Sequence, residues 1–255
     1  MLKIRVFPCL LLQETRLVKT VQFKDPTYIG DPMNAIRIFN TKEAHELILL
    51  DILATSLNRK PDFELIARVS EECNMPLTAG GGVREISDVH AMLDAGAEKV
   101  VINSFAVEDP DFIAQASEKF GSQAIVVSID AKCHSDGAYE VFTHNGRKPT
   151  KISPVDFAVQ MEKQGAGEIF LNSIDKDGTM SGYDIALIKS VTQAVNIPVI
   201  ACGGVGKLED FRDAVENGGA SAVAAGSFFV FHGRRRAVLI NFPTRQELEV
   251  TLSGR

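Results

Sequence analysis

A chain of 255 residues with 45% hydrophobic content is long enough to bury one large core, and a formal net charge of −6 argues against non-specific binding to nucleic acid. Four scattered cysteines with no CxxC pair exclude a disulfide framework or a zinc site as the organising feature. The opening Met1-Leu2-Lys3-Ile4-Arg5-Val6-Phe7 runs straight into a strand pattern without a cleavage region, and no apolar run reaches membrane-spanning length, so a cytoplasmic protein that does not insert into a membrane is expected.

In chain order, the first predicted strand covers residues 4–11. A long segment carrying Lys19 follows, expected to fold as a lid over the end of that strand. Helix 31–40, strand 46–52, helix 62–73, strand 77–79, helix 87–95, strand 99–102 and helix 109–119 come next. The second half reads strand 124–130, helix 154–164, strand 168–172, helix 184–194, strand 199–201, helix 208–217, strand 222–225 and a last helix at 245–252. The strands are continuous runs of Val, Ile and Leu, as expected for parallel strands covered on both faces. Pro32, Pro110 and Pro154 stand near helix starts, where a missing N–H costs little. Eight strands alternating with eight helices predict a (β/α)8 TIM barrel in one domain, 1–255, with a doubly wound open sheet as the rival.

The chain also repeats itself. Gly80-Gly81-Gly82-Val83 running on to Val101-Ile102-Asn103-Ser104-Phe105 returns as Gly203-Gly204-Val205 running on to Ala224-Ala225-Gly226-Ser227-Phe228. Glu46-Leu47-Ile48-Leu49 matches Glu168-Ile169-Phe170-Leu171, and Cys9-Leu10-Leu11-Leu12 falls at the place of Ser128-Ile129-Asp130-Ala131. A two-fold pseudosymmetric closed barrel follows from this duplication. Leu11 in one half then corresponds to Asp130 in the other. Glycine-rich strand ends form natural phosphate cradles, and two of them suggest a ligand with a phosphate at each end.

In such barrels the C-terminal strand ends face the active site. Asp51, Asn103, Asp130, Lys132, Asn172, Asp175, Asp177 and Cys202 fall there. Asp130 ends an apolar run, so restricted solvation should raise its pKa and suit it to proton transfer; the alternative is a salt bridge to Lys132. Asp51 and Asp177 either hold ribose hydroxyls or cap a loop, and Asp175 reads equally well as structural. Arg5, Glu46, Lys99 and Glu168 stand at strand starts, where two cations and two anions form either a structural ring or a gate for a small polar molecule. Cys9 and Cys202 read as small packing residues, with nothing to lower a thiol pKa. The five histidines lack metal-ligand spacing, so no metal is expected, and no cofactor. The Arg234-Arg235-Arg236 run is a solvated face or a contact for a third protein or glycan.

With these residues in hand, nearly the whole chain resembles the HisF family, the cyclase subunit of imidazole glycerol phosphate synthase. The resemblance rests on Gly80-Gly81-Gly82, Phe120-Gly121-Ser122-Gln123, Ile129-Asp130-Ala131-Lys132, Gly165-Ala166-Gly167-Glu168-Ile169 and Ser173-Ile174-Asp175-Lys176-Asp177-Gly178-Thr179. It implies catalytic roles for Asp130 and Lys19, and a HisH-type glutaminase partner whose ammonia passes the gate of Arg5, Glu46, Lys99 and Glu168. It also implies a bis-phosphorylated ligand. One phosphate site maps onto Gly81, Gly82, Asn103 and Ser104; the other maps onto Asp177, Gly178, Gly203, Gly204 and the Ala225-Gly226-Ser227 turn, with Asp51 and Asn172 alongside. The chain departs from the family at Leu11, where family cyclases carry an aspartate that works with the Asp130 equivalent. Leucine has no titratable proton, so imidazole ring closure should be slow or absent, and Glu14 is no obvious substitute. Pro8-Cys9-Leu10-Leu11-Leu12 and Phe229-Val230-Phe231-His232-Gly233-Arg234-Arg235-Arg236 resemble paralogues of bacterial surface-polysaccharide pathways. There the pair supplies ammonia to a sugar amidotransferase that makes an acetamidino sugar. An active cyclase of histidine biosynthesis, a non-catalytic activator of the glutaminase and a related isomerase barrel are the other readings.

Overall fold

Strand alternation decides what faces the axis of this molecule. In the computed structural model, which describes residues 4–233 and 235–253, eight strands pair in parallel around a closed cycle: β1 (Arg5–Gln13), β2 (Leu47–Asp51), β3 (Leu77–Gly80), β4 (Lys99–Ile102), β5 (Ile125–Cys133), β6 (Glu168–Ser173), β7 (Val199–Cys202) and β8 (Ala222–Ala225). β8 returns to β1 with Arg5 opposite Ala222, closing the sheet. The fold is a (β/α)8 TIM barrel rather than an open sheet.

Side chains two apart on a strand share a face. Val6, Leu10 and Leu12 of β1 therefore pack outward under the helices, whereas Phe7, Cys9 and Leu11 point into the lumen. The same alternation sends Val126 of β5 and Phe170 of β6 inward, where they meet Ile48, Val101, Ile200, Ala222 and Ala224 in an apolar column along the axis. The outer layer is built by α1 (Pro32–Thr41), α2 (Phe63–Glu72), α3 (Ile86–Asp94), α4 (Asp111–Phe120), α5 (Pro154–Lys163), α6 (Ile185–Thr192), α7 (Leu208–Glu216) and α8 (Arg245–Ser253). Their starts are specified locally. Asp62 and Asp184, equivalent in the two halves, accept from Leu65 N at 3.0 Å and Leu187 N at 3.1 Å, satisfying amides the helix leaves free.

Four readings change. The segment carrying Lys19 is a β-hairpin, Arg16–Val21 with Lys24–Gly30, rather than an irregular loop. β1 runs two residues past the predicted end and turns at Glu14, whose φ of 56° makes the reversal; Leu11 then pairs with Val18 and Gln13 with Arg16. β5 likewise continues to Cys133 and pairs with Tyr139–Thr143, in a stretch where no element was expected. The first turn carries no glycine, whereas the second contains Asp136-Gly137, a hairpin signal that went unread. The two hairpins are equivalent under the internal symmetry. Of the arginine run, Arg236 is no solvated side chain: its guanidinium donates to Gly178 O and lies 5.2 Å from the Phe231 ring centre. Arg235 is exposed, and Arg234 lies outside the described residues. No helix among the described residues is long and apolar enough to cross a membrane.

Candidate functional site

At the N-terminal end of the barrel four charges meet. Arg5 and Glu168 share the lumen-facing phase of Phe7 and Phe170, so they project onto the axis below the apolar column. The Arg5 guanidinium donates to Glu168 Oε1 at 2.6 Å and to Glu46 Oε2 at 3.3 Å, while Lys99 Nζ donates to Glu46 at 3.2 Å and to Glu168 at 3.1 Å. Each cation bridges both anions, which closes a ring. Thr78 Oγ1 adds a bond to Glu46 Oε1 at 2.7 Å. Every carboxylate is thus charge-balanced, which is what makes burying Glu46 and Glu168 tolerable.

At the other end, a cavity with about 1150 Å³ of space, its open mouth included, is lined by residues from all eight strand ends and both hairpins. That suits a small metabolite. Asp130 sits buried on its floor, accepting from Asn103 Nδ2 at 3.1 Å. Its pKa is pushed up to about 7, first by burial, then by the neighbouring Asp177 charge, with the Asn103 bond opposing both. Such a carboxyl exchanges protons near neutral pH. Among the described residues it forms no salt bridge; Lys132 is exposed, its amine 5.8 Å from the Phe142 ring centre. Leu11 lines the same cavity, so hydrocarbon stands where the first half has its counterpart of Asp130.

The other acids have defined duties. Asp177 Oδ2 accepts from Thr20 Oγ1 at 2.8 Å and Phe23 N at 3.3 Å, tying the first hairpin across the mouth. Asp51 is occupied by its own loop, accepting from Leu53 N and Ala54 N at 2.9 and 3.1 Å and from Arg59 at 2.9 Å. Asp175 accepts from Cys133 N at 2.7 Å, holding the start of the second hairpin. Gly178 is pressed against the Thr20 carbonyl at a φ of 68°, a place and a conformation that leave no room for a Cβ.

The two sides of the mouth are built differently. On one, Lys19 extends from the first hairpin with its ammonium against Gly226, where any Cβ would collide with it. Ser227 Oγ next to it is buried without a hydrogen-bond partner, as is Asn172 Oδ1. On the other, the residue equivalent to Gly226 is Asn103. Ser104 Oγ donates to Asn103 Oδ1 at 3.0 Å and accepts from His144 N of the second hairpin at 3.0 Å. Gly81 and Gly82 line that side; Gly203 and Gly204 line the first.

Two features went unread in the sequence. Buried Asp88 and Asp210 anchor the glycine turns: each carboxylate accepts two amides, from Arg84 and Glu85 at 3.0 and 2.9 Å, and from Gly206 and Lys207 at 2.8 and 3.1 Å. Their signal was present, an aspartate at the same offset after each glycine run. The second feature corrects the reading of the cysteines as mere packing. The free Cys9 and Cys202 thiols share a hydrogen bond on the cavity floor. That bond, helped by the Lys19 charge, draws the Cys9 thiol below its usual pKa, while the same contact and burial push Cys202 up.

Residues 5–235 match a family described as histidine biosynthesis protein. Over 250 residues the chain is 51% identical to a Pseudomonas aeruginosa protein provisionally named imidazole glycerol phosphate synthase subunit hisF2, spanning 98% of this chain and 100% of that one. It is 46% identical over 250 residues to a Leptospira interrogans protein provisionally named imidazole glycerol phosphate synthase subunit HisF, spanning 98% of each. A Leptospira borgpetersenii relative of the same provisional name matches equally, at 46%.

Proposed function

This chain belongs to the histidine biosynthesis protein family, as a HisF-type subunit, and we propose that it is an ammonia-conducting barrel that no longer closes the imidazole ring itself. The observation that carries the reading is the polarity of the axis: a closed charge ring at one end, a hydrocarbon column, and at the far end one titratable carboxyl, Asp130, beside Leu11. Uncharged ammonia crosses hydrocarbon more readily than ammonium does, because burying a charge is far costlier than burying a small neutral dipole. The ring of Arg5, Glu46, Lys99 and Glu168 serves as the gate, and a HisH-type glutaminase docks beneath it to supply the ammonia. The acceptor is a sugar amidotransferase of a surface-polysaccharide pathway, to which the nitrogen passes for an acetamidino group. The mouth cavity binds a phosphorylated ligand.

The test is turnover by the purified protein given free ammonium and the bis-phosphorylated ribulosyl substrate. We expect none near the level of a two-acid cyclase, since a missing general acid–base typically costs about 10²–10⁴-fold; full turnover overturns the proposal. One observation favours the second reading, an active cyclase of histidine biosynthesis: Asp130 already titrates near 7, so one acid is tuned for the work. Coupled to its glutaminase, Lys99→Ala should change the fraction of ammonia delivered through the barrel; unchanged delivery removes the gate assignment.

A further inference from the structure

Two of the free cysteines meet where the apolar column opens into the mouth cavity. Cys9 projects from β1 and Cys202 from β7. The strand between them, β8, turns only Ala222 and Ala224 to the lumen, so nothing bulky keeps the thiols apart. Their mutual hydrogen bond sets the sulfurs side by side. A disulfide does not suit the pair. Strands two apart in a sheet hold their Cα atoms roughly 9 Å from each other, beyond the ~7 Å that such a bond spans. An ion held linearly between two sulfurs spans the wider gap. Among the described residues no three His, Cys, Asp or Glu side chains group as a metal site, which leaves four-coordinate zinc without its ligands. Lys19 supplies the remaining piece. It is only 4% exposed, and its ammonium has no hydrogen-bond or ion-pair partner among the described residues. Behind the thiols' own bond and their burial, its charge favours the thiolate of each.

We infer that Cys9 and Cys202 form a two-coordinate site for a soft monovalent cation of the Cu(I) class, held between the two sulfurs on the cavity floor. Thiolates select that class of ion over harder divalent cations. Binding releases both thiol protons and moves no electron. One cation and two thiolates leave a single negative charge, which the Lys19 ammonium balances; buried charge is tolerable only when so paired. The ion stands at the cavity end of the apolar column, and its binding does not depend on ammonia passing below.

Titration of the reduced full chain with Cu(I), without oxygen and against a Cu(I)-specific chelator, tests it. We expect one ion per chain, and X-ray absorption of the loaded protein should show two sulfur neighbours with no nitrogen or oxygen. Cys9→Ser and Cys202→Ser should each abolish that binding. Cys73→Ser and Cys133→Ser, whose thiols bond to backbone carbonyls elsewhere, should leave it unchanged. Lys19→Met should weaken it by about 10–100-fold, the scale of a lost outer-shell partner. The X-ray absorption is read on the parent chain, so a variant that fails to fold cannot mimic the result. No retention of Cu(I) against the chelator, a nitrogen or oxygen neighbour at the metal, or undiminished binding by Cys9→Ser overturns the site. So does displacement of the copper by zinc, or ready formation of a Cys9–Cys202 disulfide under mild peroxide, since each needs a geometry that two sulfurs on alternate strands do not have.

Discussion

Lys19 against Gly226 and His144 against Ser104 are neighbouring contacts of one kind, hairpin on strand-end turn, made on the two sides of the mouth with different chemistry. In both, a hairpin that prolongs a barrel strand leans on the turn after another strand, and the pairings Leu11 with Val18 and Asp130 with Phe142 put Lys19 and Thr143 at equivalent places. Three exchanges separate the sides: Leu11 for Asp130, Gly226 for Asn103, Lys19 for Thr143. They are coupled. Asn103 needs Asp130 to accept its amide, and Gly226 leaves the space that the Lys19 ammonium fills. The duplicated backbone supplies two equivalent frames, and a few side chains decide that one carries charge and the other a proton.

The strongest way to break the comparison is to make the halves alike. Leu11→Asp restores a second acid, and we expect cyclase turnover in the ammonium assay to rise by about 10²–10⁴-fold. If turnover stays at background, the missing carboxylate is not what silences the ring closure. The charge ring is the next lever. Lys99→Met leaves Glu46 and Glu168 sharing only Arg5, and removing one partner of a buried pair costs about 3–5 kcal/mol. The lower part of that range is expected, since Arg5 is a third exposed and screened; denaturant unfolding measures it.

Asp130 sharpens the contrast through pH. Its folded pKa of about 7 lies above the ordinary carboxyl value, so between roughly pH 4 and 7 the native state binds more protons than the unfolded chain and stability falls as pH rises. The full effect, at about 1.4 kcal/mol per unit, has a ceiling of about 4 kcal/mol. Asp130→Asn keeps an acceptor for Asn103 while removing the charge. It should melt higher than the parent at pH 8 and no higher at pH 4, and equal melting at both would mean the carboxyl is better solvated than its burial indicates. The smallest effect compares the two serines. Ser104→Ala strands the His144 amide and Asn103 Oδ1 and should cost about 1–2 kcal/mol, whereas Ser227→Ala removes a hydroxyl with no partner and should cost close to nothing.

The order of strands and helices was legible in the residues because each signal is local: continuous apolar runs, acidic caps at Asp62 and Asp184, and glycine runs at matching offsets. The duplication also announced that Leu11 and Asp130 are counterparts, since equivalence under an internal repeat needs no coordinates. What the chain alone left open was the use of each polar group. Whether Asp51 binds a ligand or caps its loop depends on where Arg59 falls, and whether Ser104 is available depends on an amide 40 residues away. The first hairpin was hidden because its turn uses Glu14 and neighbouring polar residues without glycine, whereas the second left a signal in Asp136-Gly137 that went unread; both pair against an existing barrel strand. Hydrophobic periodicity and capping act over a few residues and so are written in sequence order. Hydrogen-bond satisfaction and charge balance at the mouth act across strands, and are settled only when the barrel closes and brings those strands together.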